Sequence, residues 1–292
     1  MTAATFTVPR SASPTWQRFR DAFRRHPTAI IGGIVLALMV LVALLAPWLG
    51  TVDPQALSPA QRLKPPSGEH WFGTDMLGRD VYSRVVYGAR ISLTVGIAVA
   101  ALSVTIGLTI GLVTGFVRWL DAIVMRVMDG LMSIPSVLLA IALMALTKAS
   151  VGNVIAAITV AEVPRVVRLV RGLVLSLREQ PFVEAAIAAG TNLPLILTRH
   201  ILPNTVAPLL VQGTYICASA MIVEAILSFI GAGTPPNVPS WGNIMAEARS
   251  LFQIAGYLIF FPGLFLSLTV LAVNLVGDGM RDALDPRLAR RM

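Results

Sequence analysis

The ionisable side chains that fall inside apolar runs set the chemistry open to this sequence. Glu162 and Glu224 are carboxylates in stretches otherwise dominated by Ala, Val, Ile, Leu and Met. An ionised acid at mid-bilayer costs about 2.5–3.5 kcal/mol on insertion scales, so each must face protein or water. Arg165, Arg168 and Arg171 follow Glu162 at steps of three, which places Glu162, Arg165 and Arg168 within reach on one helix face. Two readings fit: a salt-bridged helix end at the membrane boundary, or a charged site facing a pore. Glu224 has no cation near it in sequence. It is either a buried carboxyl bonded to a neighbouring helix or loop, or a pore or gate group.

Enzyme chemistry finds little to stand on. The chain has two lysines, Lys64 and Lys148, and neither sits in a Gly-x4-Gly-Lys-Ser/Thr phosphate loop. No His-Glu-x-x-His helix or Gly-x-Ser-x-Gly elbow is present, and His26, His70 and His200 are far apart. Cys217 stands alone, so a disulfide within the chain is impossible and a thiolate metal site is implausible. No cofactor is expected on this chain. Any energised work must draw its energy from another one.

One polar segment reads as a place for that other chain to grip. Glu184-Ala185-Ala186-Ile187-Ala188-Ala189-Gly190, followed by His200-Ile201-Leu202-Pro203-Asn204, interrupts the apolar runs. Pro181 suits a first helical turn, Glu184 adds acid near the positive helix end, and the alanines are the best helix formers. Gly190 predicts a C-terminal break. Thr191 or Asn192 can cap a second short helix, with Pro194 near its start and Pro203 at its stop. A helix this short is marginal in water, so docking in a partner's groove should stabilise it.

The elements that must position these groups are membrane helices. The chain is 55% hydrophobic and 13% charged, with mean hydropathy +0.76; soluble domains carry about 25% charged residues. The apolar residues come in continuous runs rather than in the alternation of a barrel, and in lipid helices satisfy their own backbone groups. Six runs approach the roughly 20 residues that cross a bilayer: 28–49, 91–117, 125–146, 152–174, 206–230 and 257–276. Pro135, Pro164 and Pro262 fall inside three of them and favour kinks. Gly107, Gly111 and Gly115 share one face of the second, suited to close packing within the chain or to a contact between subunits.

Lys and Arg placement orients the spans. With the N-terminus inside, sixteen of the 23 fall on the cytoplasmic side and seven outside. The expected topology is N-in, C-in. The +8 net charge then fits the cytoplasmic membrane face and calls for no nucleic-acid partner. The first apolar run follows a basic leader and lacks a small-residue cleavage site, which predicts an uncleaved helix. The expected division is a cytoplasmic leader 1–27, a first transmembrane helix 28–49 and an external loop 50–90. A membrane core 91–277 containing the cytoplasmic loop 178–204 follows, then a cytoplasmic tail 278–292. Within the external loop, the amphipathic stretch after Trp71 is expected to lie along the membrane surface.

The Glu-Ala-Ala-x3-Gly spacing with its later Leu202-Pro203 resembles the coupling loop of bacterial ABC-importer permeases. That family's usual pattern has Ile three residues before the proline, where this chain has His200. Further stretches resemble C-type permeases of the dipeptide, oligopeptide and nickel group. They include Phe72-Gly73-Thr74-Asp75, Leu77-Gly78-Arg79-Asp80, Gly88-Ala89-Arg90, Leu227-Ser228-Phe229-Ile230-Gly231 and Pro239-Ser240-Trp241-Gly242. The tail motif runs from Asn274 to Leu288. The resemblance covers the chain from about residue 15 onward. It implies an all-α integral membrane protein of the MetI-like permease fold in a bacterial inner membrane, without catalysis of its own. It also implies a heterodimer with a homologous B-type permease, two ATP-binding subunits that use ATP and magnesium, and an extracytoplasmic substrate-binding protein. Glu184, Ala185, Ala186, Gly190, Leu202 and Pro203 would form the ATPase-coupling surface. Di- or oligopeptides are the expected cargo, with nickel chelates, glutathione or another small solute as alternatives. A self-contained secondary transporter is disfavoured by the shortage of intramembrane ions that could couple a gradient.

Overall fold

A computed structural model describes residues 27–284, and nearly all of the leader and the last eight residues, including Asp285-Pro286-Arg287, lie outside it. The described chain is built from helices: α1 (Pro27–Leu45), α2 (Val81–Phe116), α3 (Arg118–Met132), α4 (Ser136–Ala145), α5 (Val151–Arg178), α6 (Pro181–Ala188), α7 (Leu202–Phe229), α8 (Trp241–Glu247) and α9 (Tyr257–Leu284). Four helical stretches are long and apolar enough to cross a membrane: Pro27–Trp48, α2, Leu193–Phe229 and α9. The run expected at 125–146 is broken. Helices α3 and α4 meet at 89° across Ser133–Pro135 and make a fifth span only if counted together. Proline cannot donate to the preceding turn, and Pro135 is held in extended geometry at φ −51°, ψ 132°. Helix α5 has the length, 28 residues, but Glu162, Arg165, Arg168 and Arg171 interrupt its apolar character. Pro164 and Pro262 lie inside continuous helices.

Of the stretch expected along the membrane surface, residues 71–80 belong to a turn-rich segment, and the part from Val81 instead opens α2, a single 36-residue helix. Asp80 sets its start: the carboxylate accepts from the Ser83 backbone N–H at 2.8 Å and from the Ser83 hydroxyl at 2.7 Å. Val81, Val85, Ala89 and Val95 are then buried at once, which explains why the helix does not lie flat on a surface. Before it, residues 50–80 form a turn-rich cap. Phe72 stacks on Phe261 of α9 at 4.0 Å between ring centres. The Tyr257 hydroxyl donates toward the carbonyls of Lys64 and Thr74, each 3.0 Å away.

The central packing is α2 against α5 and α7, with α1 laid on α9. The glycine stripe serves the first of these. A Cβ built on Gly107 would sit 2.5 Å from Val166 Cβ, and one on Gly111 would sit 2.6 Å from Val170 Cβ. Val174 fills the space over Gly115. The small residues therefore admit three valines of the same chain. Val166, Val167, Val170 and Val174 are all buried as a result. Gly32 does the same for α1, with Leu275 of α9 against it.

Candidate functional site

Helix α6 is attached to the body by little more than Val183, its one buried residue. Pro181 occupies the first turn and lacks only a donor that would be orphaned there. The chain leaves α6 through Gly190, whose φ of +79° is the left-handed conformation that glycine adopts without a Cβ penalty. The side chain of Asn192 accepts from Leu195 N–H at 3.2 Å and starts the return. Here the structure corrects one expectation: Pro203 does not stop a second helix. Residues Ile196–Ile201 form a π-helical stretch that runs straight into α7, with Pro203 in α7's first turn. The widened turn accommodates a proline with no N–H to give back, so the returning strand and the membrane helix form one continuous element.

The coupling residues expected from sequence divide between α6, the Gly190 turn and the first residues of α7. Glu184, Ala185 and Gly190 are exposed and Ala186 is half-buried; on the return, Leu202 is half-buried and Pro203 exposed. Around them Phe182, Ile187, Leu193 and Leu195 present apolar side chains that the described chain leaves uncovered. Val183, Ile196 and Ile201 belong to the main core. The pair is thus rigidly rooted on one side and open on the other.

Glu162 and Glu224 are not brought together. Glu162 is buried in α5, with Oε2 3.0 Å from the Arg165 guanidinium but off a hydrogen-bonding line, and Oε1 3.4 Å from the Ser219 hydroxyl. Arg168 turns away from it and pairs with Asp129 at 2.6 Å, while Arg171 grips Asp121 through two bonds of 2.5 and 2.7 Å. These two pairs lock α3 onto α5. Glu224 lies fully buried in α7, accepting from the Ser228 hydroxyl at 2.8 Å, with its other oxygen unpartnered.

A cluster that sequence reasoning missed lies at the other end of α7. Arg84, 1% exposed, bonds Asp75 at 2.5 Å and both oxygens of Glu247 at 2.6 and 3.0 Å. Arg79 bonds Asp75 at 2.6 Å and also pairs with Glu247. Of their buried side-chain atoms only Arg84 Nε is left without a hydrogen-bond partner, and the four charges cancel, which is the condition for burying them. They tie α8 to the start of α2. Trp241 reinforces the tie: fully buried, it donates from its indole N–H to the Val85 carbonyl at 2.9 Å, over Gly88. Asp75, Arg79 and Arg84 were visible as a closely spaced set. Glu247, 163 residues beyond Arg84, was not readable as their partner.

A family model described as the inner membrane component of binding-protein-dependent transport systems matches residues 103–290. The chain belongs to this family. A second model, the N-terminal transmembrane domain of oligopeptide transport permease C, matches residues 14–66. Among curated relatives, a probable peptide ABC transporter permease protein of Sinorhizobium fredii is 55% identical over 268 residues, 92% of each chain. A dipeptide transport system permease protein of Alkalihalophilus pseudofirmus is 40% identical over 95% of this chain and 92% of its own. A glutathione transport system permease protein of Escherichia coli is 40% identical over 99% of this chain and 96% of its own. The chain is therefore a multi-pass inner-membrane permease component of an ABC importer, with the transport role of that family.

Proposed function

We propose that this permease forms half of the translocation pathway of a peptide importer, and that the 181–203 pair couples it to ATPase subunits. The observation that carries the coupling is the uncovered apolar face around Glu184–Gly190, on a short helix whose return segment from Leu193 runs unbroken into membrane helix α7. A partner that binds this face together with the return moves α7, because Leu193–Phe229 is one helical stretch and only the Gly190–Asn192 turn joins α6 to it. Nucleotide in the ATPases and a loaded binding protein outside must each prefer one arrangement of the helices, since a ligand shifts an equilibrium only through differential affinity.

Peptides are the cargo because the relatives named above carry peptide, dipeptide and glutathione transport in their names. The partners are a homologous B-type permease, two ATP-binding subunits that use ATP and magnesium, and an external binding protein. With α5 and the bent α3–α4 pair counted beside the four apolar stretches the spans number six, an even number that keeps both chain ends on one side, and the Lys and Arg distribution favours the cytoplasm for it. The test is uptake in proteoliposomes. The complete assembly should import radiolabelled dipeptide only with ATP and a binding protein. Uptake by this chain alone, without nucleotide, would return it to the class of secondary transporters.

A further inference from the structure

At the end of α7 remote from the coupling pair, a cavity of about 260 Å³ is bounded by Ala149, Phe229, Gly231, Asn243, Glu247 and Arg249. Its charge balance is uneven. Glu247 lies in the wall, but its carboxylate is held by Arg79 and Arg84, and together with Asp75 the four form a neutral set. Arg249 is a fifth charge with no carboxylate paired to it among the described residues. It is exposed, with its guanidinium 5.9 Å from the centre of the Phe229 ring. The rim thus presents one uncompensated cation, lying over an aromatic face.

The walls are fixed in advance. The Asn243 side-chain amide donates to the Thr234 hydroxyl at 2.9 Å and to the carbonyls of Pro235 and Val238 at 2.8 and 3.0 Å. Arg84 holds Glu247 from beneath. A cavity that needs no rearrangement costs a ligand little to occupy. Its volume falls just below the roughly 300–1,000 Å³ of drug-sized sites, which suits the end of a short peptide rather than a whole oligomer. A guanidinium prefers a carboxylate, which it can meet with two parallel bonds.

We propose that this cavity receives the carboxylate end of a transported peptide, with Arg249 as the carboxylate-binding group. The proposal rests on the reading of the chain as a peptide permease whose cap segment faces outward. It adds a solute contact in the permease itself, at the mouth opposite the ATPases.

The test uses the assembled permease–ATPase complex in lipid nanodiscs, without binding protein, and equilibrium dialysis with radiolabelled dialanine. Wild type should bind at millimolar concentration. Arg249→Gln should weaken binding by about tenfold or more, the loss expected for one charge-assisted contact. Arg249→Lys, which keeps the charge without the fork, should fall between. Dialanine amide should bind wild type as weakly as dialanine binds the Gln variant, and the Gln variant should not distinguish acid from amide. No binding to wild type, equal binding of acid and amide by wild type, or equal binding by wild type and Gln overturns the site. Uptake by the complete importer separates the two readings. Import of dipeptide without such binding removes the site and keeps the function; binding without import of any peptide does the reverse.

Discussion

At Glu224 the carboxylate accepts one hydrogen bond from Ser228 and leaves Oε2 without a partner, beneath a loop anchored through Thr234, Ser240 and Asn243. Ser228 has a single hydroxyl proton, and it is directed at Glu224. Thr234 must therefore be the donor in its own 3.2 Å pair with Ser228. The carboxylate is thus the terminal acceptor of a hydroxyl chain that fastens the loop to α7. Glu224→Ala should strand the Ser228 hydroxyl and lower the stability of the assembled complex by about 1–3 kcal/mol, read by denaturation. Transport per folded complex should hold. Altered uptake kinetics with unchanged stability would instead give Glu224 a gating role. Arg84 is the more severe case. Arg84→Ala leaves Asp75 and Glu247 with Arg79 as their one remaining cation and so one negative charge uncompensated; about 3–5 kcal/mol should be lost, seen as failure to recover assembled protein.

Helix α6 is too short to persist by its own hydrogen bonds, yet its sequence commits it to helix between Pro181 and Gly190. Its docking face should therefore be sensitive to side-chain size. Gly190→Asp puts a Cβ into a left-handed turn, which Asp tolerates better than most residues at a local cost of about 1 kcal/mol or less, and sets a negative charge on the docking face. Ala186→Phe adds bulk where a partner approaches. Both should abolish ATP-driven uptake while membrane insertion, measured by fractionation, stays normal; unimpaired transport and assembly in either variant would remove this face from coupling. The α2–α5 seam carries a different expectation. Gly111→Leu has no room against Val170, and overpacking should cost about 1–3 kcal/mol or more. The loss should appear as reduced accumulation of the protein rather than as uncoupling.

For the whole molecule, the two ends of α7 divide the labour. One end continues without a break into the return half of the coupling pair, and the other is bolted through α8 to the start of α2. In the proposed topology, a push on the return segment would reach the cap 50–80 along the length of α7. The proposed topology can be read directly by single-cysteine labelling. Cysteines at Arg62, Lys148 and Arg249 should react with an impermeant reagent from outside, and cysteines at Arg178 and Arg199 only after permeabilisation. Reaction of the second set in intact cells would invert the arrangement.

The sequence by itself determined the membrane class, the first, second, fifth and sixth apolar runs, the helix–glycine–return of 181–203 and its likeness to a coupling loop. These are local properties: hydropathy over twenty residues, helix propensity, proline and glycine at fixed offsets. The glycine stripe was equally legible, but which surface it served was not, because a flat helix face does not name its partner. Only the tertiary structure chose Val166, Val170 and Val174. Likewise it turned the second half of the amphipathic stretch after Trp71 into the base of α2, made Pro203 a passage rather than a stop, and joined Arg84 to Glu247. Each of these outcomes depends on which residues become neighbours across long separations in the chain. Burial energy and charge compensation act on that neighbourhood, and sequence order does not encode it locally.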